Sequence, residues 1–369
     1  MNQSVDIKPF RAPDITGIDL FCGVGGLTCG LIRGGVKVSA GVDIDPNSRY
    51  PFEKNNSAIF LERDVSALQG TELEEFYADA PVTLLAGCAP CQPFSKYSRS
   101  GRNRQHEEQW PLALAFGRLV DELKPDLVAM ENVPQLADHK VFQDFVKSLI
   151  GYHTWWEVVD CTLYGIPQTR KRLVLLASRM GAEGLKLEPT HVTPVTVRDM
   201  IGELPAISAG SRDPDDVLHY SSSLSDLNLQ RIAASVPGGT WRDWPESLQA
   251  ACHRKTSGAT YPSVYGRMEW DKPGPTITTQ CFGYGNGRFG HPVQNRAISL
   301  REAAMLQTFP ADYEFSQPGT PVRFNKLGRL IGNAVPVRLG EVIAKTLMNH
   351  ASLYAGYGER LNIKQSGQI

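Results

Sequence analysis

Residues 15–30 read ITGIDLFCGVGGLTCG. The first part is apolar and rich in β-branched residues, the composition of a buried strand, and the glycines then open a helix from Leu27. A strand that runs through a glycine-rich turn into a helix lets a ligand come close to the backbone. The same alternation repeats outward from this point. VKVSAGVDID (36–45) is a second strand closing on acids, with Pro46 placed to start a helix. VTLLAG (82–87) and DLVAMEN (126–132) are short buried strands, and EEQWPLALAFGRLVDELK (107–124) has the spacing of an amphipathic helix. WWEVVDCTLYG (155–165) and RLVLLAS (172–178) complete the set. Strands alternating with helices predict an α/β fold, a doubly wound parallel sheet covered on both faces.

The pattern breaks near Met180. From there to about Asn295 the chain is rich in Pro, Gly, Ser and Thr without a sustained period, which predicts a smaller, irregular lobe. SLREAAMLQTF (299–309) is helical again, and VPVRLGEVIAKTLMNHASLYA (335–355) is a long helix with an apolar stripe. That last helix has no sheet near it in sequence, so its expected home is the first lobe. The expected division is therefore a discontinuous domain, 1–180 with 322–369, around a second domain at 181–321.

The chain has 369 residues, 41% hydrophobic and 21% charged, with a formal net charge of −1. This excludes a protein coated in positive charge but not a local basic cleft. No apolar run approaches the ~20 residues that span a bilayer. MNQSVDIKPFRAPD (1–14) lacks the apolar core of a secretory signal. Seven cysteines, an odd number in so long a chain, predict a reducing cytoplasm rather than a disulfide framework.

The dinucleotide fingerprint needs G-x-G-x-x-G, but the run from Gly23 is G-V-G-G-L-T, with Thr28 at the sixth position. That disfavours a nicotinamide cofactor. Asp43 ends the second strand, where a carboxylate can accept from ribose hydroxyls, and Asp64 marks the end of a third, where an adenine edge could be met. A nucleoside without a strong phosphate requirement fits this set, and S-adenosylmethionine is such a ligand.

GCAPCQPFS (87–95) carries two cysteines three residues apart. A structural zinc site needs two more ligands, and the remaining Cys and His form no second pair at metal spacing. A thiol–disulfide couple of Cys88 and Cys91 has the right spacing, but Pro93 interrupts any helix after it. The third reading is one nucleophilic thiol, Cys91, with Cys88 as a small buried residue. Glu131 in MENVP (130–134) and Arg170 with Arg172 in QTRKR (168–172) supply partners: a carboxyl for a ring nitrogen, and two guanidinium groups for a carbonyl and a phosphate. Together they suit attack on an electron-poor heterocycle.

With these blocks in view, the chain resembles the DNA cytosine-5 methyltransferases of the bacterial restriction–modification kind along nearly its whole length. The blocks that carry the resemblance are DLFCGVGGL, VDID, RDV, PCQPFS, ENVP, QTRKR, REAAMLQTFP and GNAVP, in the family's order. The resemblance implies a Rossmann-like methyltransferase sheet plus a smaller target-recognition domain, and S-adenosyl-L-methionine as cofactor. Asp19, Phe21, Gly23, Gly25, Gly26 and Leu27 would hold it, with Phe21 against the adenine. Asp43 would take the ribose with Ile44 beside it, and Asp64 and Val65 would read the adenine edge. Pro90 and Asn333 would complete that pocket. Cys91 would be the nucleophile, Glu131 would contact cytosine N3 and the exocyclic amine, and Arg170 and Arg172 would flank the base and its phosphate. Two departures are visible: Ala89 stands where many members have a second proline, and Asp43 where many have Glu.

Methyl transfer to C5 of a specific cytosine in double-stranded DNA, through a covalent Cys91–C6 intermediate on a base swung out of the helix, is the implied reaction. KYSRSGRNRQ (96–105), with Lys96, Arg99, Arg102 and Arg104, is expected to close on the DNA backbone. Residues 251–300 hold six Lys and Arg against two acids, and CHRKTSG, TTQCFGYGNGRFGH and Arg267 are the candidate groove contacts. The implied setting is a cytoplasmic, nucleoid-associated monomer on DNA, with a cognate restriction endonuclease acting separately and no membrane. An RNA cytosine-5 methyltransferase of the same fold and a thiol–disulfide oxidoreductase are the alternatives.

Overall fold

The computed structural model describes residues 13–90, 111–255 and 260–354. Its centre is a seven-stranded sheet: β1 (Ile15–Leu20), β2 (Lys37–Asp43), β3 (Ile59–Glu62), β4 (Val82–Gly87), β5 (Leu127–Asn132), β6 (His153–Asp160) and β7 (Lys171–Ser178), in the order β3-β2-β1-β4-β5-β7-β6. The strands from β3 to β5 are parallel. β7 runs antiparallel to both β5 and β6, which corrects the expectation of an all-parallel sheet. The segment from Cys161 to Arg170 is too short for a helical crossover, so β7 turns back beside β6.

The central strands β1, β4, β5 and β7 are largely apolar because both faces are covered, while the edge strands β3 and β6 are mostly exposed, and alternate residues serve different cores. Leu84, Ala86, Leu127, Ala129, Val174 and Leu176 face the helices α1 (Gly26–Arg33) and α9 (Val337–Tyr354). Leu85, Val128, Met130, Leu173 and Leu175 face α3 (Pro111–Leu123) and α4 (Lys140–Ser148), where Phe116, Phe142 and Phe145 fill the space. A short helix, α2 (Arg49–Asn56), joins β2 to β3.

α9 lies directly on α1. A Cβ at Gly30 would stand 2.2 Å from the Val337 carbonyl oxygen, and one at Gly34 2.3 Å from the Ala344 methyl. Two glycines one turn apart let the backbones approach and carry the end of the chain back onto β1.

The irregular region contains α5 (Val197–Ile201) and α6 (Asp226–Ala234), tied by isolated bridges such as Pro237–Arg267 and Gly290–Ala297. Val197, Ile201, Met268 and Ile277 share a core with α7 (Leu300–Leu306), α8 (Phe324–Asn333) and residues Val24 and Cys29 of the first glycine turn and helix. A second, smaller core gathers Ile232, Trp241, Trp244 and Tyr284. Arg267, expected in a groove, is instead buried at its centre. Its guanidinium donates to the carbonyls of Ile232, Ser235, His291 and Gln294 and to the Asn295 side chain. Every N–H of that side chain is used, so it is a scaffold for the lobe rather than a contact for DNA.

Candidate active site

The β1–α1 turn is held by its own backbone. Cys22 N–H donates to Val42 O, Gly25 N–H to Cys22 O, and Cys29 N–H to Gly25 O. Phe21 (φ 58°) and Gly25 (φ 88°) take left-handed conformations to make the corner. The glycines differ in what they face. A Cβ at Gly25 would strike Asn56 and one at Gly26 the Val335 carbonyl, whereas nothing lies within 4 Å of one at Gly23. Among the described residues, Gly23 is the glycine of this turn with open space at its Cα. Its N–H donates to Asp43 Oδ2 at 2.9 Å, and Asp45 N–H donates to Asp43 Oδ1 at 2.8 Å, so each oxygen of Asp43 keeps a lone pair for another donor.

Asp19 lies beneath this turn. Thr28 Oγ1 donates to its Oδ2 at 2.6 Å, while Oδ1 is buried without a hydrogen-bond partner among the described residues. Burial, with the Asp43 charge adding to it, pushes the Asp19 carboxyl up to about 7. Ile44 is 67% exposed beside Asp43, an apolar side chain offered to a ligand. Phe21 and Val65 border one cluster, and Asp64 turns its carboxylate onto Ser66 at the surface. Leu27 is buried in the core beneath α9. Asn333, at the exposed end of α8, precedes Ala334 and Val335, which lie on Gly26. Arg329 of α8 meets Asp45 at 2.7 Å. Asp19, Phe21, Gly23, Asp43 and Ile44 thus gather around the β1–α1 turn and the end of β2, Asn333 stands next in sequence to the residues packed on Gly26, and Gly25, Gly26 and Leu27 are packed against the surrounding core.

A second group forms where β4, β5 and β7 end or begin. Glu131 is 2% exposed. Arg172 Nε lies 2.8 Å from its Oε1, but the N–H is not aimed at that oxygen, which has no hydrogen-bond partner among the described residues. The Cys88 thiol donates to Oε2 at 2.9 Å. Arg170 is buried, its Nη1 donates to Ile277 O at 3.2 Å, and its Nε is unpartnered. Burial and the neighbouring Arg172 charge push the Arg170 guanidinium down to about 9, still a cation at neutral pH. Cys91 lies outside the described residues, as do Lys96, Arg99, Arg102 and Arg104. Pro90, just before Cys91, is exposed.

Three residues without a role in the sequence reading support this group. Asn132 Nδ2 donates to Ala89 O at 2.9 Å and so anchors the chain leading to Cys91. Gln168 is wholly buried. It donates to Leu306 O and Gln307 Oε1 and accepts from Ile277 N, tying the arginine segment to the irregular lobe. Thr169 N–H adds a bond to Gly274 O. Asn132 and Gln168 were visible inside the ENVP and QTRKR blocks. Cys88 was expected to be an inert buried residue and instead is half-buried and bonded to Glu131.

A profile for the C-5 cytosine-specific DNA methylases matches residues 15–349. This chain belongs to that family. It is 53% identical over 338 residues to the type II methylase M.HgiDII of Herpetosiphon aurantiacus, covering 89% of this chain and 94% of that one. It is 30% identical to the type II methyltransferase M1.HphI of Haemophilus parahaemolyticus, covering 90% and 87%. A solved prophage-encoded protein of Escherichia coli, assigned as a DNA modification methyltransferase, superimposes with a TM-score of 0.68 at 25% identity, covering 91% and 99%. As a C-5 cytosine-specific DNA methylase the protein transfers a methyl group from S-adenosylmethionine to cytosine C5 in DNA. The RNA-directed and thiol–disulfide alternatives fall away.

The methylase's first opening fits its cofactor. It offers an open glycine, a carboxylate with spare lone pairs, an orphaned buried acid and an exposed apolar side chain, the donor and packing needs of a nucleoside with a charged tail. Among the described residues no helix is long and apolar enough to cross a membrane, and no His, Cys, Asp and Glu cluster could hold a metal ion.

Proposed function

We propose that this methylase acts on a cytosine extruded from double-stranded DNA, with Glu131, Arg170 and Arg172 receiving the base and Cys91 attacking it. The observation that carries this reading is Arg170 Nε, buried at one end of the sheet with no hydrogen-bond partner among the described residues, close to the buried Glu131 carboxylate that Arg172 meets at 2.8 Å. A buried polar atom without a partner costs free energy unless a ligand completes it. Glu131 hydrogen-bonds cytosine N3 and its amine, Arg170 a ring carbonyl or phosphate oxygen, and Arg172 holds the carboxylate from behind.

In this reading the Cys91 thiolate bonds to C6, and the ring electrons move to C5, which becomes nucleophilic. A proton passed from Glu131 to N3 neutralises the negative charge that develops there, and it returns to Glu131 when the sulfur leaves. Bound S-adenosylmethionine supplies the electrophilic methyl group. Loss of the C5 proton then returns electrons to the C5–C6 bond as the sulfur leaves. Asp19, Phe21, Gly23, Asp43, Ile44, Asp64, Val65, Pro90 and Asn333 hold the cofactor, and Gly25, Gly26 and Leu27 shape the wall behind it. The basic residues Lys96, Arg99, Arg102 and Arg104 neutralise phosphates.

We further propose two lobes, 1–180 with 322–369 and 181–321, with α7 and α8 forming the seam. A cleft of about 510 Å³ bordered by Thr169, Lys272, Thr276, Thr278 and Arg288 opens beside Arg170 and suits entry of the DNA. The methylase works as a monomer in a bacterial cytoplasm, on nucleoid DNA that a separate cognate endonuclease would otherwise cut. The test is trapping. A duplex with 5-fluorocytosine at the target should give a denaturation-resistant adduct with wild-type protein and none with Cys91→Ser. Methylation by wild type without any adduct refutes the covalent step. Bisulfite sequencing of DNA from expressing cells reads the target motif.

A further inference from the structure

Glu131 is gripped from two sides. Gly87 of β4 pairs with Met130 of β5 in parallel register, so the next residues, Cys88 and Glu131, emerge side by side from the same end of the sheet. That adjacency belongs to the strands rather than to a loop. The thiol lies 2.9 Å from Oε2 and the Arg172 guanidinium 2.8 Å from Oε1. We propose that Cys88 is a positioning residue: its S–H holds one oxygen of Glu131 while Arg172 holds the other, which fixes the plane of the carboxylate toward the extruded base. The inference rests on the role given to Glu131 above.

The terminal torsion of a glutamate is soft, with broad wells. An ion pair whose N–H is not aligned leaves the carboxylate free to pivot. A second anchor on the other oxygen removes that freedom and leaves the carboxylate one orientation, with each oxygen keeping a lone pair for the base. Among the described residues, the charged and titratable groups around this pair are Arg170, Arg172 and Cys161. Burial, with the Glu131 carboxylate adding to it, holds the Cys88 thiol well above its ordinary range. It therefore remains a protonated donor at neutral pH and does not compete with Cys91 as a nucleophile. A second observation points to the same place. Arg170, more than nine-tenths buried, keeps an Nε with no hydrogen-bond partner among the described residues, so precise orientation there has a ligand to serve.

The test compares wild type, Cys88→Ala, Cys88→Ser and Glu131→Gln in full-length protein with duplex DNA. Loss of a hydrogen bond to a charged group predicts about a tenfold lower kcat for Cys88→Ala, with the KM for DNA and the Kd for S-adenosylmethionine within about twofold of wild type. Cys88→Ser, which retains a donor, recovers most of kcat. The S–H infrared stretch of Cys88, isolated as the wild-type minus Cys88→Ser difference, moves to higher frequency when Glu131→Gln weakens the acceptor. This readout stands even where Cys88→Ala fails to fold. A wild-type kcat in Cys88→Ala, an equal loss in both Cys88 variants, or an unmoved S–H band overturns the inference. If Glu131→Gln keeps full turnover, the role of Glu131 itself fails. If Glu131→Gln is inactive while Cys88→Ala is normal, only the positioning role fails.

Discussion

The cofactor opening and the base pocket both place a carboxylate out of water, and they satisfy it differently. Asp19 has a hydroxyl partner, a second carboxylate nearby and no ion-pair partner among the described residues. Glu131 has a thiol on one oxygen and a guanidinium against the other. The core of the first opening lies within one β-α-β stretch, with α8 and the residues after it closing on that stretch from outside, whereas the second draws on β4, β5, β7 and the lobe segment around Ile277. A site made by one turn is set once that turn forms. A site made by four segments depends on how they dock, and it carries more dedicated anchors: Asn132, Gln168 and Cys88.

The largest effect expected from this contrast is at Glu131. Glu131→Gln keeps the shape but removes the charge that Arg172 balances, and loss of acid–base and electrostatic assistance predicts a fall in kcat of roughly 10²–10⁴. Isothermal titration should still give near wild-type affinity for S-adenosylmethionine. A parallel loss of cofactor binding would show that the two regions are not separable.

Asp19 breaks the comparison from the other side. Its carboxyl is raised from 3.8 to about 7, so the folded protein keeps a proton that the unfolded chain loses. Below about pH 4 both states are protonated and no penalty exists. Stability falls as pH rises between about 4 and 7 and is flat above, by no more than about 4 kcal/mol. Asp19→Asn does not titrate. Denaturant melts should show it gaining on wild type across that window, with no gap near pH 4. A gap independent of pH would mean that Asp19 is not the titrating group.

Next in size is Gly30→Ala. The added Cβ would meet the Val337 carbonyl oxygen at 2.2 Å, and overpacking there should cost about 1–3 kcal/mol in a urea melt. Because α1 also carries the glycine turn, cofactor affinity should fall more than the KM for DNA; the reverse order would place the strain in the base pocket. The smallest effect is expected at Arg329→Ala. Its pair with Asp45 is half-exposed, and such pairs contribute about 0.2–1 kcal/mol. A change of more than tenfold in cofactor affinity would assign Arg329 a direct contact.

Much of the sheet was legible because its strands are continuous apolar runs ending in Gly, Pro or acids, as with VTLLAG before GCAPC and DLVAM before ENVP. The chemistry-bearing residue types were legible too, since a thiol, a carboxyl and two guanidinium groups stand at the ends of those runs. The direction of β7 was not. RLVLLAS has the same apolar pattern whichever way it pairs, and only the short return from β6 reverses it. Arg267 misled for a related reason. An arginine in a basic stretch resembles a phosphate contact until five surrounding acceptors are known to use its donors. Cys88 shows the converse: a small residue that composition assigns to the core holds a bond to a carboxylate 43 positions away.

By itself, the order of residues determined the period-two and helical segments, the strained glycine corner and the kinds of side chain available at each strand end. These follow from backbone sterics and from burial of neighbouring positions, which act over a few residues. Tertiary structure alone decided which group meets each oxygen of Glu131, which glycine of the turn has open space and that α9 lies on α1. Those outcomes depend on distances between segments far apart in the chain, and hydrogen bonds and close packing resolve them to within an ångström only after the whole core has closed.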